Sequence, residues 1–162
     1  MLIPVTRALL IASRSLICAS LLLATSICAQ QPAKRATAAS EITLTIGGHN
    51  LSAEVVNTDE ARMRGLMYRK SMAENHGMLF VFAESAFHSM WMQNTYLPLS
   101  VAFIDEAGVI LNIADMQPLT QDSHTAAGFA RYALEMNQGW FRKRDIKAGD
   151  KIQGLAKAPP PK

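Results

Sequence analysis

The sequence predicts an α+β fold. It reads as a single compact domain of mostly antiparallel short strands, with a partly closed barrel as one arrangement and one or two short helices. Three observations predict this. Short apolar segments recur at hairpin spacing, glycine and proline punctuate them, and a single stretch carries the signals of a helix start.

The elements follow in order. EITLTI alternates apolar and polar residues as a strand does, Gly47-Gly48 supplies a hairpin turn, and NLSAEVV returns as the partner. Thr58 is placed to cap a helix. Asp59 and Glu60 would sit in its first turn, where the helix dipole favours negative charge, so DEARMRGLM predicts a short helix with Gly65 near its end. YRKSMAENHG connects to GMLFVF, a near-continuous apolar run of the kind found in central strands. FHSMWMQ and PLSVAFI predict two more strands, Pro98 standing at the start of the second, where a missing N–H costs least. DEAG turns the chain into VILNIADM. After a polar loop at Thr120–Thr125, ARYALEM predicts a strand, GWFRKRD a loop or one helical turn, and DKIQGL a last strand.

The first 29 residues differ in kind. Arg7 and Arg14 precede an apolar run at Leu16–Leu23, and small residues at Thr25–Ala29 suit cleavage after Ala29, or after Ser26. This is the layout of a signal peptide, with an uncleaved signal anchor as the alternative, and it predicts a periplasmic or secreted protein. Residues 30–40 read as a flexible linker, 41–155 as the globular domain and 156–162 as a disordered Pro-rich tail. Cleavage removes two basic residues, so the net charge drops from +3 to +1 and nucleic acid loses its case as a partner. It also removes Cys18 and Cys28, leaving neither a disulfide nor a thiolate nucleophile.

The densest chemistry lies in HSMWMQNT. In an extended conformation His88, Met90, Met92 and Asn94 share one face, and an imidazole with two thioethers is a soft set that suits Cu(I). The same methionines are also ordinary core fillers, and no cofactor is expected. Trp91 with Asn94 and Thr95 reads either as the wall and rim of a small-ligand pocket or as core beside a turn. Asp105, Asp115 and Glu135 are acid/base candidates if they converge, although Asp105 in DEAG also suits a turn. Glu135 stands out because ALEM sets a carboxylate among apolar neighbours, where a basic residue such as Arg64 would be a fitting partner. Asp122, Ser123 and His124 are adjacent in sequence, which does not make a triad. Arg142–Arg144 is a short basic run beside Trp140 and Phe141, suited to an acidic partner or to a solvated loop.

Three stretches, ARMRGLMYRKSM…GMLFVF, MWMQNTYLPLSVAFIDEAGVI and YALEMNQGWFRKRDIKAGDKI, together resemble the bacterial and archaeal family catalogued as domain of unknown function 192. The resemblance is carried first by Arg64, Gly65, Leu66, Met67 and Arg69, then by Gly77–Phe80 and Phe82. Trp91, Met92, Asn94, Thr95, Pro98 and Leu99 continue it, followed by Phe103, Asp105 and Gly108, and by Glu135, Gly139, Gly149 and Asp150. The chain departs from the family pattern at Gln93, where Lys is common, and at Ser100, where Asp is common. The resemblance implies a compact, often exported domain and supplies no reaction. It ranks Arg64, Trp91, Asn94, Thr95, Asp105 and Glu135 as members of a common pocket or structural network.

The function expected is a small-molecule or cell-envelope binding module, monomeric, touching membrane only through an uncleaved leader. Trp91 would give apolar contact, Asn94 and Thr95 hydrogen bonds, and Arg64 with Glu135 a charged pair. An envelope-polymer hydrolase using Asp105 and Glu135 is the enzyme alternative. A structural or interaction protein without a ligand is the third.

Overall fold

A computed structural model describes residues 40–162, so the leader and most of the linker lie outside the described residues. Seven strands form one curled sheet, a half-barrel, in the order β6-β5-β8-β3-β2-β1-β9, beside a two-stranded ribbon, β4-β7. The strands are β1 (Ser40–Ile46), β2 (His49–Val56), β3 (His76–Ala86), β4 (Ser89–Met90), β5 (Leu99–Ile104), β6 (Ile110–Met116), β7 (His124–Thr125), β8 (Ala130–Asn137) and β9 (Ile152–Gln153). The only α-helix among the described residues, α1, spans Asp59–Arg64, six residues; two 3-10 turns of three residues each complete the helical content.

The α+β class is therefore corrected to a mostly β one. The reason lies at Gly65. Thr58 caps α1 by accepting from the Ala61 N–H at 3.2 Å, as its sequence position suggests. Gly65 then adopts φ 46°, ψ −133°, which stops the helix before GLM can join it. The chain continues through turns, so α1 is too short to form a layer of its own.

FHSMWMQ is also shorter as a strand than expected, only Ser89–Met90 pairing, with His124–Thr125 of the polar loop as the partner. β2 and β3 pair in parallel, joined over one sheet face by α1 and the turns after it. The tail, expected to be disordered, is tied back: Asn57 donates to the Pro160 carbonyl at 2.6 Å and accepts at its own carbonyl from Lys162 N–H at 2.7 Å.

Both sheet faces are covered, which is why β5 has all six residues buried and is apolar at all of them but Ser100. On one face Leu79, Val81, Ala102, Ile104, Leu134 and Met136 pack under Trp140 and Phe141. On the other, Met78, Phe80, Phe82, Val101, Phe103 and Ala133 pack beneath α1 and the segment around Met92 and Leu97. β8 sits in the interior of the sheet, between β3 and β5. Glu135 pairs with Met78 on one side and Val101 on the other, so its side chain shares the second face.

At Gly77, β3 leaves no room for a side chain against β8. A Cβ there would lie 2.4 Å from Met136 Sδ and 2.5 Å from the Glu135 carbonyl oxygen. Gly77→Ala is expected to lower stability by about 2 kcal/mol through overpacking, read as a lower urea midpoint at unchanged m-value; an unchanged midpoint would show that the strands have room to separate.

Candidate functional site

A cleft of about 230 Å³ opens on the second face of the sheet. Phe80, Phe82 and Glu135 contribute from the sheet, Arg62–Met67 from α1 and its exit, and Ser89–Trp91 with Thr95 from the ribbon and the following turn. Gly65 brings the helix exit close to the sheet, since even a Cβ would stand 3.2 Å from the Phe80 ring. Trp91 stands half exposed at 52%, and Met63 is exposed at 71%, so the cleft has an apolar mouth open to solvent.

Glu135 is the unusual group. It is 3% exposed, and no described residue forms an ion pair or hydrogen bond with its carboxyl. Burial alone pushes its pKa up from 4.5 to about 8, so it is mainly protonated at neutral pH. The Arg64–Glu135 pair expected from the sequence does not form. Arg64 is exposed at the rim, lining both this cleft and the neighbouring one beside Glu54 and Arg69, and makes no salt bridge among the described residues. Its neighbouring arginines are both engaged. Arg62 bonds Asp59 at 2.5 Å and the Val81 carbonyl at 2.8 Å. Arg69 grips Glu54 through both nitrogens at 2.6 and 2.5 Å, and this hydrogen bonding holds the Glu54 carboxyl below its usual range.

The other sequence candidates scatter. Asn94 does not line the cleft. It takes a left-handed φ of 55°, and its carbonyl accepts from Tyr68 N–H at 2.9 Å, which makes it a turn former. Thr95 is buried and does line the cleft, its hydroxyl donating to the Gln93 carbonyl at 3.3 Å.

Asp105 also serves a turn, accepting from Val109 N–H at 2.8 Å, and is not part of the cleft. Asp115 lies on the opposite sheet face. It is hydrogen-bonded by Ser100, which lowers its pKa, and by Arg142 at 2.8 Å. The Ser100 hydroxyl in turn accepts from Gly139 N–H at 2.8 Å. Three carboxylates that the sequence left free to converge thus stand in three places.

His88, Met90 and Met92 do not share a strand face, because the strand ends at Met90. His88 stacks on Phe82 at 3.6 Å, Met92 is fully buried, and Met90 lines the cleft. No group of three His, Cys, Asp or Glu side chains is arranged for a metal among the described residues.

What the residue pattern does not reveal is the bracing. Tyr68, Asn94 and Leu119 all hold left-handed backbone, with φ of 64°, 55° and 62°. They meet at one turn, where Tyr68 N–H donates to the Asn94 carbonyl and Leu119 N–H to the Thr95 carbonyl at 3.1 Å. For Tyr and Leu this conformation is strained, and it persists because the turn behind Trp91 is held from both sides. The apolar floor was within reach of sequence reasoning, since Met78, Phe80 and Phe82 alternate in GMLFVF.

The folded state binds the Glu135 proton more tightly than the unfolded chain does, so stability falls as pH rises from about 4.5 through about 8. Glu135→Gln is expected to remove that slope. Its advantage over the wild type should widen across the same window to a few kcal/mol, growing by roughly 1.4 kcal/mol for each pH step of one. Urea unfolding of both proteins between acid and mildly alkaline pH reads this directly, and parallel stability curves would contradict the assignment.

The comparisons agree with the architecture. No curated protein matches the chain. A crystal structure from Sinorhizobium meliloti 1021, described as that of a candidate transcription regulator, is 34% identical, covering 73% of this chain and 96% of that one with a TM-score of 0.69. A protein of unknown function from Novosphingobium aromaticivorans DSM 12444 is 29% identical over 77% of this chain and 94% of its own, with a TM-score of 0.70. The family described as DUF192, Uncharacterized ACR, matches residues 42–154, which is most of the described domain. The chain belongs to the DUF192 family.

Proposed function

We propose that the protein is an exported binding module for a small polar molecule or a cell-envelope component, held in the cleft over Glu135. One observation carries the reading: a buried carboxyl without a partner among the described residues borders a cleft whose mouth is lined by a half-exposed tryptophan. Proteins satisfy buried polar groups almost without exception, and a group left open towards a cleft is where a ligand finds its partner. Trp91 offers a flat apolar surface at the mouth, and Arg64 an exposed guanidinium at the rim with no ion pair among the described residues. The signal-like leader supports export and a periplasmic or secreted location.

The hydrolase alternative lacks comparable support, because paired-carboxylate chemistry needs both groups on one cleft and Asp105 is occupied by its own turn. A purely structural role leaves the exposure of Trp91 and the isolation of Glu135 without a purpose.

The two tryptophans make the test simple, since Trp140 is buried and Trp91 is not. Soluble peptidoglycan fragments, sugars and small polar metabolites are titrated while tryptophan emission and thermal stability are followed. A binder is expected to shift the emission and raise Tm, and Trp91→Ala should abolish the emission change while costing less than about 0.5 kcal/mol of stability. If no compound moves either signal, or if binding survives Trp91→Ala undiminished, the cleft is not a binding site.

A further inference from the structure

The cleft holds two ionisable groups that form no ion pair among the described residues: a neutral, buried Glu135 and a cationic, exposed Arg64. Glu135 faces Met78 and Val101 from the flanking strands and the Phe80 and Phe82 rings along β3. From the covering elements, the ribbon and its turn contribute Ser89, Met90, Trp91 and Thr95, none of them charged. The charged groups over the cleft are Asp59, Arg62 and Arg64, all from α1. Asp59 and Arg62 satisfy each other. None of the three perturbs Glu135, whose proton affinity is set by burial alone. Arg64, at the rim, forms no ion pair among the described residues. The site therefore offers an unmatched acid at its floor and an unmatched base at its mouth, with Trp91 and Met63 beside the opening.

Resting on the reading that this cleft holds a small ligand, we propose that the ligand is an aminocarboxylate, an amino acid or short peptide. Its amino group meets Glu135 and its carboxylate meets Arg64. A purely anionic ligand without N–H or O–H donors would satisfy Arg64 and accept from the protonated Glu135 O–H. It would leave the Glu135 carbonyl oxygen unmatched, however, and could not stabilise the ionised carboxylate. A purely cationic one would pass Arg64 with nothing to offset the like charge. An aminocarboxylate matches both, and its apolar body lies against Trp91.

The pairing has a proton consequence. Free Glu135 carries its proton at neutral pH, and an ammonium group beside it favours the ionised carboxylate. Binding as the ammonium ion therefore expels that proton to solvent, up to one per ligand below about pH 8 and progressively less above it. No bond other than the carboxyl O–H breaks.

Amino acids and dipeptides are titrated calorimetrically into the full domain in two buffers of different ionisation enthalpy, which counts protons released. Each binder is then compared with its decarboxylated and deaminated analogues. Proton release at about pH 6.5 that fades by about pH 9.5 is expected, with at least a roughly tenfold loss of affinity when either charged group of the ligand is removed. Glu135→Gln should abolish the release, whereas Arg64→Gln should weaken binding about tenfold yet retain it. Circular dichroism shows whether each variant is folded.

Binding without proton release, a deaminated analogue that binds as well as the parent, or no binding by any amino acid or dipeptide would each overturn the proposal. The tryptophan titration with sugars and other metabolites decides separately whether the cleft binds anything. A neutral or anionic binder there would leave the binding module standing and sink only the aminocarboxylate.

Discussion

The rest of this structure is organised around a carboxyl group placed where carboxyls are costly. Glu135 lies towards the end of β8, an interior strand between β3 and β5, with an apolar residue opposite it on each neighbour. Burial without a partner is unfavourable for either protonation state and far worse for the charged one, so the domain keeps the group neutral. A methionine or leucine at this position would pack with no such penalty. The stability forgone at Glu135 is the strongest physical sign that the position serves something beyond the fold.

The covering elements fit that view. α1 stops at a glycine that lets its exit lie close on Phe80, and the turn behind Trp91 is held by two residues in strained backbone. Thr95 is buried within that turn, and Leu119 is hydrogen-bonded to its carbonyl. The turn that carries Trp91 is thus fixed by main-chain bonds from two distant segments, which is how a site on loops can be kept rigid. On the opposite face the charged groups are consumed structurally. Asp115 ties Ser100 to Arg142, and Arg144 lies over Trp140 at 4.4 Å while bonding Glu74 and Asn75.

Much of this is legible in the sequence because strand alternation is a local signal. EITLTI, GMLFVF and ARYALEM lie in strands, as do PLSVAFI and VILNIADM after their first residues, and the Gly-Gly and DEAG turns join the pairs expected. ALEM marks Glu135 as anomalous without any geometry. The failures are nonlocal or concern one dihedral angle. The residue pattern carries the helix through Gly65 because it does not reveal the ψ that ends it. The parallel β2–β3 pairing and the pairing of β4 with His124–Thr125 join segments whose partners no short window contains. Asn94 has the chemistry of a hydrogen-bonding site residue, yet its amide type suits the left-handed turn instead. Arg64 and Glu135 suit each other as an ion pair by charge, and the fold keeps them apart across a cleft.

Glu135 is held protonated by burial, with no ion-pair or hydrogen-bond partner for its carboxyl among the described residues. The most direct test is the carboxyl 13C chemical shift of Glu135, assigned by loss of its signal in Glu135→Gln and followed through a pH titration of the ligand-free domain. Burial without a partner predicts a midpoint near 8. A midpoint near 4.5, the value of an ordinary glutamate, would mean that water or a cation already reaches the carboxylate, and the basis for a ligand at this position would be gone.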